Sequence, residues 1–472
     1  MIGRSEQIAL MQETLSIKKS SFVAVTGRRR VGKTYLIDDV YSNNFCLRIT
    51  GIQGGDKQTQ INNFTQKISE YSNKKIDTTA TNWQQVFVQL KSYLKLLPKK
   101  KKQIVFLDEL PWISTNKSGF LQMLAHLWND YLSKETHFIL VVCGSATSWI
   151  TQKIINDKGG LHNRITLALQ LLPFTLTETK AFFLEKKINL SNTAIVELYM
   201  ALGGIPFYLE KIKRGESPAQ AIERICFKEN ASLKNEYDNL YKALFDNSQN
   251  HESIVATLAN AKNGLGAEEI ITKSKIVRGG PFTRTMNDLM LSGFVIAETP
   301  YGKLKKGIVY RLVDEFSVFY HKFMRKNKKT NEGIWQILSA TQQYKIWTGY
   351  VFESICMKHV NEIKKALGID NVYTETASYT HTGNNLTAGF QIDLIIDRKD
   401  QVINLCECKF YNAPFEIDKK YATQLILRKA LFKKATGTRK SVFNTIITNF
   451  TMVQNVHSID SIENAISVDM IM

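Results

Sequence analysis

Between Phe22 and Ile37 the chain reads FVAVTGRRRVGKTYLI, and within it Gly27-x-x-x-x-Gly32-Lys33-Thr34 has the spacing of a phosphate-cradling P-loop. The chemistry asks for these residue types in this order. Glycines let backbone N–H groups approach an anion closely, and the N-terminus of a following helix adds the positive end of its dipole. Lys33 has the reach for β- and γ-phosphates, and Thr34 offers a hydroxyl to Mg²⁺. The segment Gly27, Arg28, Arg29, Arg30, Val31, Gly32, Lys33, Thr34 and Tyr35 is therefore the expected contact for a nucleoside triphosphate, with ATP and Mg²⁺ as cofactors. The pattern demands nothing of Arg28 to Arg30, which are expected to face solvent or a neighbouring subunit.

Hydrolysis needs a carboxylate on a second strand, and Ile104-Val105-Phe106-Leu107-Asp108-Glu109 supplies two. Four apolar residues make a buried strand. Asp108 emerges at its end to complete a Mg²⁺ shell, and Glu109 is placed to orient and polarise the attacking water. Phe138 to Cys143 is another apolar run. Ser145 at its end is placed either to sense a γ-phosphate or simply to close a strand. Arg164, in LHNRI, is either a cation for the nucleotide or a surface arginine.

A second set lies far downstream. Glu353 sits in the apolar helical stretch Trp347–His359, Asp393 in GFQIDLII, and Glu407 and Lys409 in LCECKF. Strand alternation puts Glu407 and Lys409 on one face and Cys406, Cys408 and Phe410 on the other. Asp393, on a neighbouring strand, is expected to meet Glu407 across a hairpin. Two carboxylates converging on a hard cation make an oxygen-ligand Mg²⁺ site. The cation acidifies a bound water while the lysine stabilises charge developing on phosphate.

The elements that must position these groups follow from hydrophobic patterning. Strands are expected at Phe22–Val25, Phe45–Thr50, Ile104–Leu107, Phe138–Cys143 and Ile165–Leu169, alternating with helices, which is an α/β sheet pattern. Residues 174–245 lose the strand pattern and read as helices, broken at Gly203-Gly204-Ile205-Pro206. Helices at His251–Asn260, Ala267–Lys273 and Pro281–Leu291, then strands at Phe294–Glu298 and Ile308–Leu312, are the order of a winged helix-turn-helix. In it Arg284 would face DNA, and Lys303, Lys305 and Lys306 on the wing would reach phosphates. Lys326–Lys329 is the linker candidate, and helix, strands, helix and strand follow it.

The succession Gly3-Arg4, GRRRVGKT, FLDE, CGSAT, LLPFTLTE and GGIPFYL resembles the AAA-type ATPases abundant in archaea and Bacteroidetes. The resemblance covers nearly the whole chain. It implies a P-loop ATPase three-layer core over residues 1–172, a helical lid over 173–248, a winged helix over 249–325 and a restriction-endonuclease-like α/β domain over 326–472. It also implies a sensor role for Ser145. The arginine matching Arg164 often follows a glycine in this family, whereas Asn163 stands here. The downstream D…ExK set resembles the PD-(D/E)xK nucleases. That resemblance implies that Glu353 assists the metal and that a later helix, KKYATQLILRK, contributes Tyr421 or Gln424. Ile392 stands before Asp393 where that family often has proline.

Bulk composition fits this reading. The chain has 472 residues, 44% of them apolar, which is ample for several packed cores. Its 62 Lys and Arg against 43 Asp and Glu give a net charge of +19, and a chain this basic suits a polyanionic partner, DNA first. The six cysteines form no CxxC pair and read as buried thiols in a reducing compartment. MIGRSEQ lacks a signal-peptide core, and no apolar run approaches a membrane span, so a cytoplasmic location without membrane contact is expected. The leading expectation is an ATP-hydrolysing protein acting on DNA with a Mg²⁺-dependent deoxyribonuclease domain. The alternative is a nucleotide-switched DNA-binding regulator or scaffold with an inert nuclease-like domain. A homo-oligomer, a regulatory protein partner and a defence or toxin-like role stay open.

Overall fold

The computed structural model describes residues 3–72, 80–245, 247–303, 307–327, 332–383 and 389–472. Two compact units emerge. One is essentially residues 1–173, with short contributions from 243–246 and 291–293. The other holds the rest of the chain.

The first unit is built on five parallel strands: β1 (Ser21–Thr26), β2 (Phe45–Thr50), β3 (Gln103–Asp108), β4 (Phe138–Gly144) and β5 (Leu167–Gln170). Their order in the sheet is β2-β3-β4-β1-β5. β1, β3 and β4 are buried along their whole length, as continuous apolar runs covered on both faces must be. The expected strands are all present, with β5 beginning two residues later than its pattern suggested. An aromatic cluster of Phe64, Trp83, Phe87 and Phe120 packs helices Lys57–Ser72, Trp83–Leu94 and Phe120–Asp130 together on one face. In a parallel sheet all strand C-termini open on one edge, where ligands of α/β folds are met. The loops after β1, β3 and β4 share that edge.

The second unit begins with helices. Thr175 and Glu178 form a capping box at the start of Leu176–Glu185, and Ser191 caps Asn192–Leu202. The glycine break is required by close approach. A Cβ on Gly204 would stand 1.9 Å from the Phe174 carbonyl oxygen. Among the described residues 174–244 there is no strand, as expected.

Helices Gln249–Ala259, Ala267–Ser274 and Gly280–Leu291 then precede an antiparallel pair, β6 (Val295–Glu298) and β7 (Val309–Leu312). Phe282, Met286 and Leu289 bury one face of the third helix and leave Arg284 exposed. Lys303 is also exposed, whereas Lys305 and Lys306 lie outside the described residues, as do Lys328 and Lys329 of the linker candidate.

The C-terminal part is a mixed five-stranded sheet: β8 (Thr374–His381), β9 (Phe390–Arg398), β10 (Val402–Lys409), β11 (Ser441–Thr448) and β12 (Asn464–Ser467). β8, β9 and β10 are antiparallel neighbours, while β10, β11 and β12 run parallel. Helix Gln342–Lys358 packs on β9 and β10, and helix Lys419–Thr436 carries the chain from β10 to β11. The loop after β6 docks on this sheet. Tyr301 N–H donates to the Ser378 carbonyl at 2.8 Å, and its ring meets Tyr379 and Phe432. All six cysteines are buried free thiols. Among the described residues no helix is long and apolar enough to cross a membrane.

Candidate functional site

The loop between β1 and helix Lys33–Tyr41 closes by glycine geometry. Gly27 (φ 147°) lies so near β5 that a Cβ would stand 2.4 Å from the Leu171 carbonyl oxygen, and Gly32 has φ 90°. Lys33 is buried, and its Nζ donates to the carbonyls of Gly27 at 2.9 Å and Arg28 at 3.1 Å. Thr34, in the first turn of the helix, sets its hydroxyl 3.2 Å from Asp108 Oδ2. Tyr35 is exposed. One expectation for the loop fails. Arg28 is buried, with 2% of its surface exposed, while Arg29 and Arg30 are partly exposed. A loop that folds over itself to present its backbone turns one of its own side chains inward, and the motif does not say which.

Asp108 ends β3 as expected. Its Oδ1 accepts from the Glu109 N–H at 3.0 Å and from the Cys143 thiol at 3.2 Å. Cys143 was not singled out from sequence. Adjacency of β3 and β4 supplies the contact, and a single strand pattern carries no information about its neighbour. Burial, then Asp108, holds the Cys143 thiol far above its ordinary pKa, so it remains a proton donor. Glu109 adopts a left-handed backbone (φ 47°, ψ 52°), a conformation that costs a non-glycine residue about 1 kcal/mol or more. Its Oε2 accepts from both the N–H and the hydroxyl of Ser145, each at 3.0 Å. Arg164 is exposed. The donor set at this edge comprises an amine, a hydroxyl beside a carboxylate, and a helix N-terminus. It suits a triphosphate with its divalent cation.

Comparison with known proteins agrees with that geometry. Residues 1–212 match the family described as an ATPase domain predominantly from Archaea. This N-terminal stretch carries an ATPase domain. A curated protein of Methanocaldococcus jannaschii, described as uncharacterized, is 26% identical over 400 residues, 84% of this chain and 83% of that one. Among solved structures, the Walker-type ATPase of Pyrococcus abyssi is 17% identical, with a TM-score of 0.51, over 68% of this chain and 96% of that one. The Aeropyrum pernix ORC2 protein, solved with ADPNP and ADP, is 11% identical over 72% of this chain and 96% of that one, with a TM-score of 0.44. The likeness to the Pyrococcus structure is one of fold. The β2-β3-β4-β1-β5 order of the ATPase domain places Ser145 between the P-loop and Asp108.

A second convergence lies on the C-terminal sheet. Cys406 pairs with Leu394, so one step further sets Glu407 beside Asp393. Asp393 Oδ2 accepts from the Cys408 N–H at 3.0 Å. Lys409 Nζ donates to Glu407 Oε1 at 2.7 Å, which shows the shared face. Glu353, from helix Gln342–Lys358, joins this set. Its carboxyl is pushed up to about 7 by burial, with Asp393 and Glu407 adding repulsion. Asp393 is pushed up to about 6 by burial and by Glu407. Burial pushes Glu407 the same way, but Lys409 and Arg428 outweigh it and leave its carboxyl below the usual value.

Tyr421 stands over Lys409 at 6.0 Å, whereas Gln424 is exposed. A second residue of this helix that reaches the site is Arg428, whose Nη1 donates to Glu407 Oε2 at 2.8 Å. Its signal was its spacing of seven from Tyr421, two helical turns along the same face. Among the described residues no three or more His, Cys, Asp or Glu side chains are grouped to hold a metal ion. Mg²⁺ is commonly held by one or two carboxylates with waters completing its shell. Asp393 and Glu407 fit that requirement, and a cation would relieve the mutual repulsion of the three carboxyls.

Proposed function

We propose that this chain is an ATPase that acts on DNA, its nucleotide cycle controlling a Mg²⁺-dependent phosphodiesterase on the C-terminal sheet. In the ATPase domain, Gly27 to Tyr35 cradle the phosphates and Lys33 turns from its own loop carbonyls to the β- and γ-phosphates. Thr34 and Asp108 hold Mg²⁺, Glu109 orients the attacking water, and Ser145 senses the γ-phosphate. In the C-terminal site, Asp393 and Glu407 are the carboxylates for Mg²⁺, which when bound would acidify a water. Lys409 faces the phosphate, and Glu353 completes the acidic wall. The helices and hairpin of residues 249–312 act as a winged helix, with Arg284 and Lys303 on the DNA side.

The observation that carries this reading is that Asp393, Glu407 and Lys409 meet on neighbouring strands of one sheet, with Glu353 on the helix that packs against those strands. The +19 charge supports a polyanionic substrate. Plasmid cleavage with Mg²⁺ and ATP tests it, with loss expected in the Glu407→Ala, Lys409→Ala double variant. Equal cleavage by that variant and the unaltered protein overturns the assignment.

A second reading, an inert nuclease-like domain in a nucleotide-switched DNA-binding scaffold, draws support from the occupation of both Glu407 oxygens by cationic side chains. It predicts nucleotide-dependent DNA binding without cleavage, unaffected by the double variant.

A further inference from the structure

Glu407 is the most heavily partnered carboxylate of the C-terminal site. Lys409 takes Oε1 at 2.7 Å and Arg428 takes Oε2 at 2.8 Å. The two cations differ in how they are attached. Lys409 lies two residues along the same strand, so the two side chains spring from one backbone segment. Arg428 arrives from helix Lys419–Thr436, an independent element, and its guanidinium stands 5.9 Å from the Tyr421 ring centre. A long side chain on a helix face can leave its partner without moving the sheet. Side-chain positions of Glu407, Arg428 and Lys409 are all partly or largely buried, so the ion pair is formed away from bulk water, where charge-assisted bonds are stronger.

We propose that Arg428 is a built-in competitor for the divalent cation of this site. Its guanidinium occupies one Glu407 oxygen while Lys409 holds the other, and coordination of a cation through Oε2 requires the guanidinium to swing away. Once displaced, the guanidinium remains beside Tyr421 at the rim of the site, where a planar five-donor fork suits a phosphate of the substrate. The site is thus held closed by its own positive charge until a divalent cation displaces the guanidinium. This rests on the phosphodiesterase reading above, and the two are separable by experiment.

Mn²⁺ binding to the full chain is measured by isothermal titration without nucleotide, in an Asp108→Asn background that removes the carboxylate of the ATPase site. Asp393→Asn abolishing the remaining binding supports the metal-site reading. Arg428→Ala is then expected to tighten Mn²⁺ binding roughly tenfold, the equivalent of removing one charge-assisted hydrogen bond. Lys429→Ala removes a charge from the same helix without touching Glu407, and is expected to change affinity less than about twofold.

Millimolar guanidinium is expected to compete with Mn²⁺ in Arg428→Ala and not in the unaltered side chain, with tetramethylammonium as the ionic-strength control. Circular dichroism checks folding, and Arg428→Gln serves if the alanine variant misfolds. Asp393-dependent binding that neither Arg428 variant tightens, or that tightens equally in Lys429→Ala, overturns the competitor role and leaves the metal site standing. Absence of Asp393-dependent binding in every variant overturns both.

Discussion

Ser145 donates twice to a single oxygen of Glu109, through its N–H and its hydroxyl, both at 3.0 Å. A residue that sequence offers as a γ-phosphate sensor is thereby also the residue that fixes the carboxylate expected to orient water. Glu109→Gln should keep ATP binding and lower kcat by about 10²- to 10⁴-fold, the range for loss of a general base. Ser145→Ala keeps the backbone donor and loses the hydroxyl, so kcat should fall by roughly tenfold with KM nearly unchanged. Steady-state phosphate release measures both, and an unaltered kcat in Ser145→Ala would show that the hydroxyl does not position Glu109.

Cys143 predicts a second effect in the same domain. Its thiol donates to Asp108 Oδ1, while Thr34 approaches Oδ2, so the carboxylate is steered from both sides. Cys143→Ala should raise the Mg²⁺ concentration for half-maximal ATPase activity by about fivefold, the worth of one bond from a weak thiol donor. Cys143→Ser, which keeps a donor, should stay near the original value. Equal Mg²⁺ dependence in all three proteins would assign the thiol to packing alone.

Acid sensitivity should come partly from His359. It is buried, its Nε2 accepts from the Leu176 N–H at 2.9 Å, and its Nδ1 donates to the Ile355 carbonyl at 2.8 Å. Both nitrogens are used by the neutral ring, and protonation would break the Leu176 bond. Burial pushes its pKa down from 6.5 to about 4. The unfolded chain therefore binds more protons than the folded one between those values. Stability is full above about pH 6.5 and declines as pH falls toward 4, by about 3 kcal/mol for a shift of this size. His321, beside the Tyr237 hydroxyl at 2.7 Å and also lowered to about 4, adds in the same window. Unfolding measured from pH 7 to 4 should show a shallower decline in His359→Gln. An unchanged slope would remove His359 from the account.

The docking of the β6–β7 hairpin predicts a stability effect. Arg311 pairs with Glu298 at 3.0 Å, both side chains are largely buried, and each also bonds Ser378 of β8. Arg311→Ala leaves Glu298 buried without its partner and should destabilise the second unit by about 3 kcal/mol. The Glu298→Gln, Arg311→Met double variant should recover most of that. Scanning calorimetry, with the transition of the ATPase domain as internal reference, distinguishes the outcomes.

The sequence reached far in two places. Gly27, Gly32, Lys33, Thr34, Asp108 and Glu109 are local signals, because a loop between a strand and a helix needs particular residues at fixed offsets. Period-two alternation also sufficed to put Glu407 and Lys409 on one face. It stopped where contacts cross between elements. Arg28 was expected outside and lies inside. Cys143 touches Asp108 only because β4 lies beside β3. Gln424 was a candidate, but Arg428, one turn further, is the residue that meets Glu407.

The sequence alone determined that a phosphate-binding loop follows a buried strand, that a pair of carboxylates ends one later strand, and that a second acidic set lies downstream. These are consequences of chain periodicity and backbone freedom at single residues. Only the tertiary structure decided which side chains share a carboxylate. Ser145 on Glu109, Cys143 on Asp108 and Arg428 on Glu407 join residues 36, 35 and 21 positions apart. Such pairings follow from sheet order and helix docking, which depend on burial summed over whole layers.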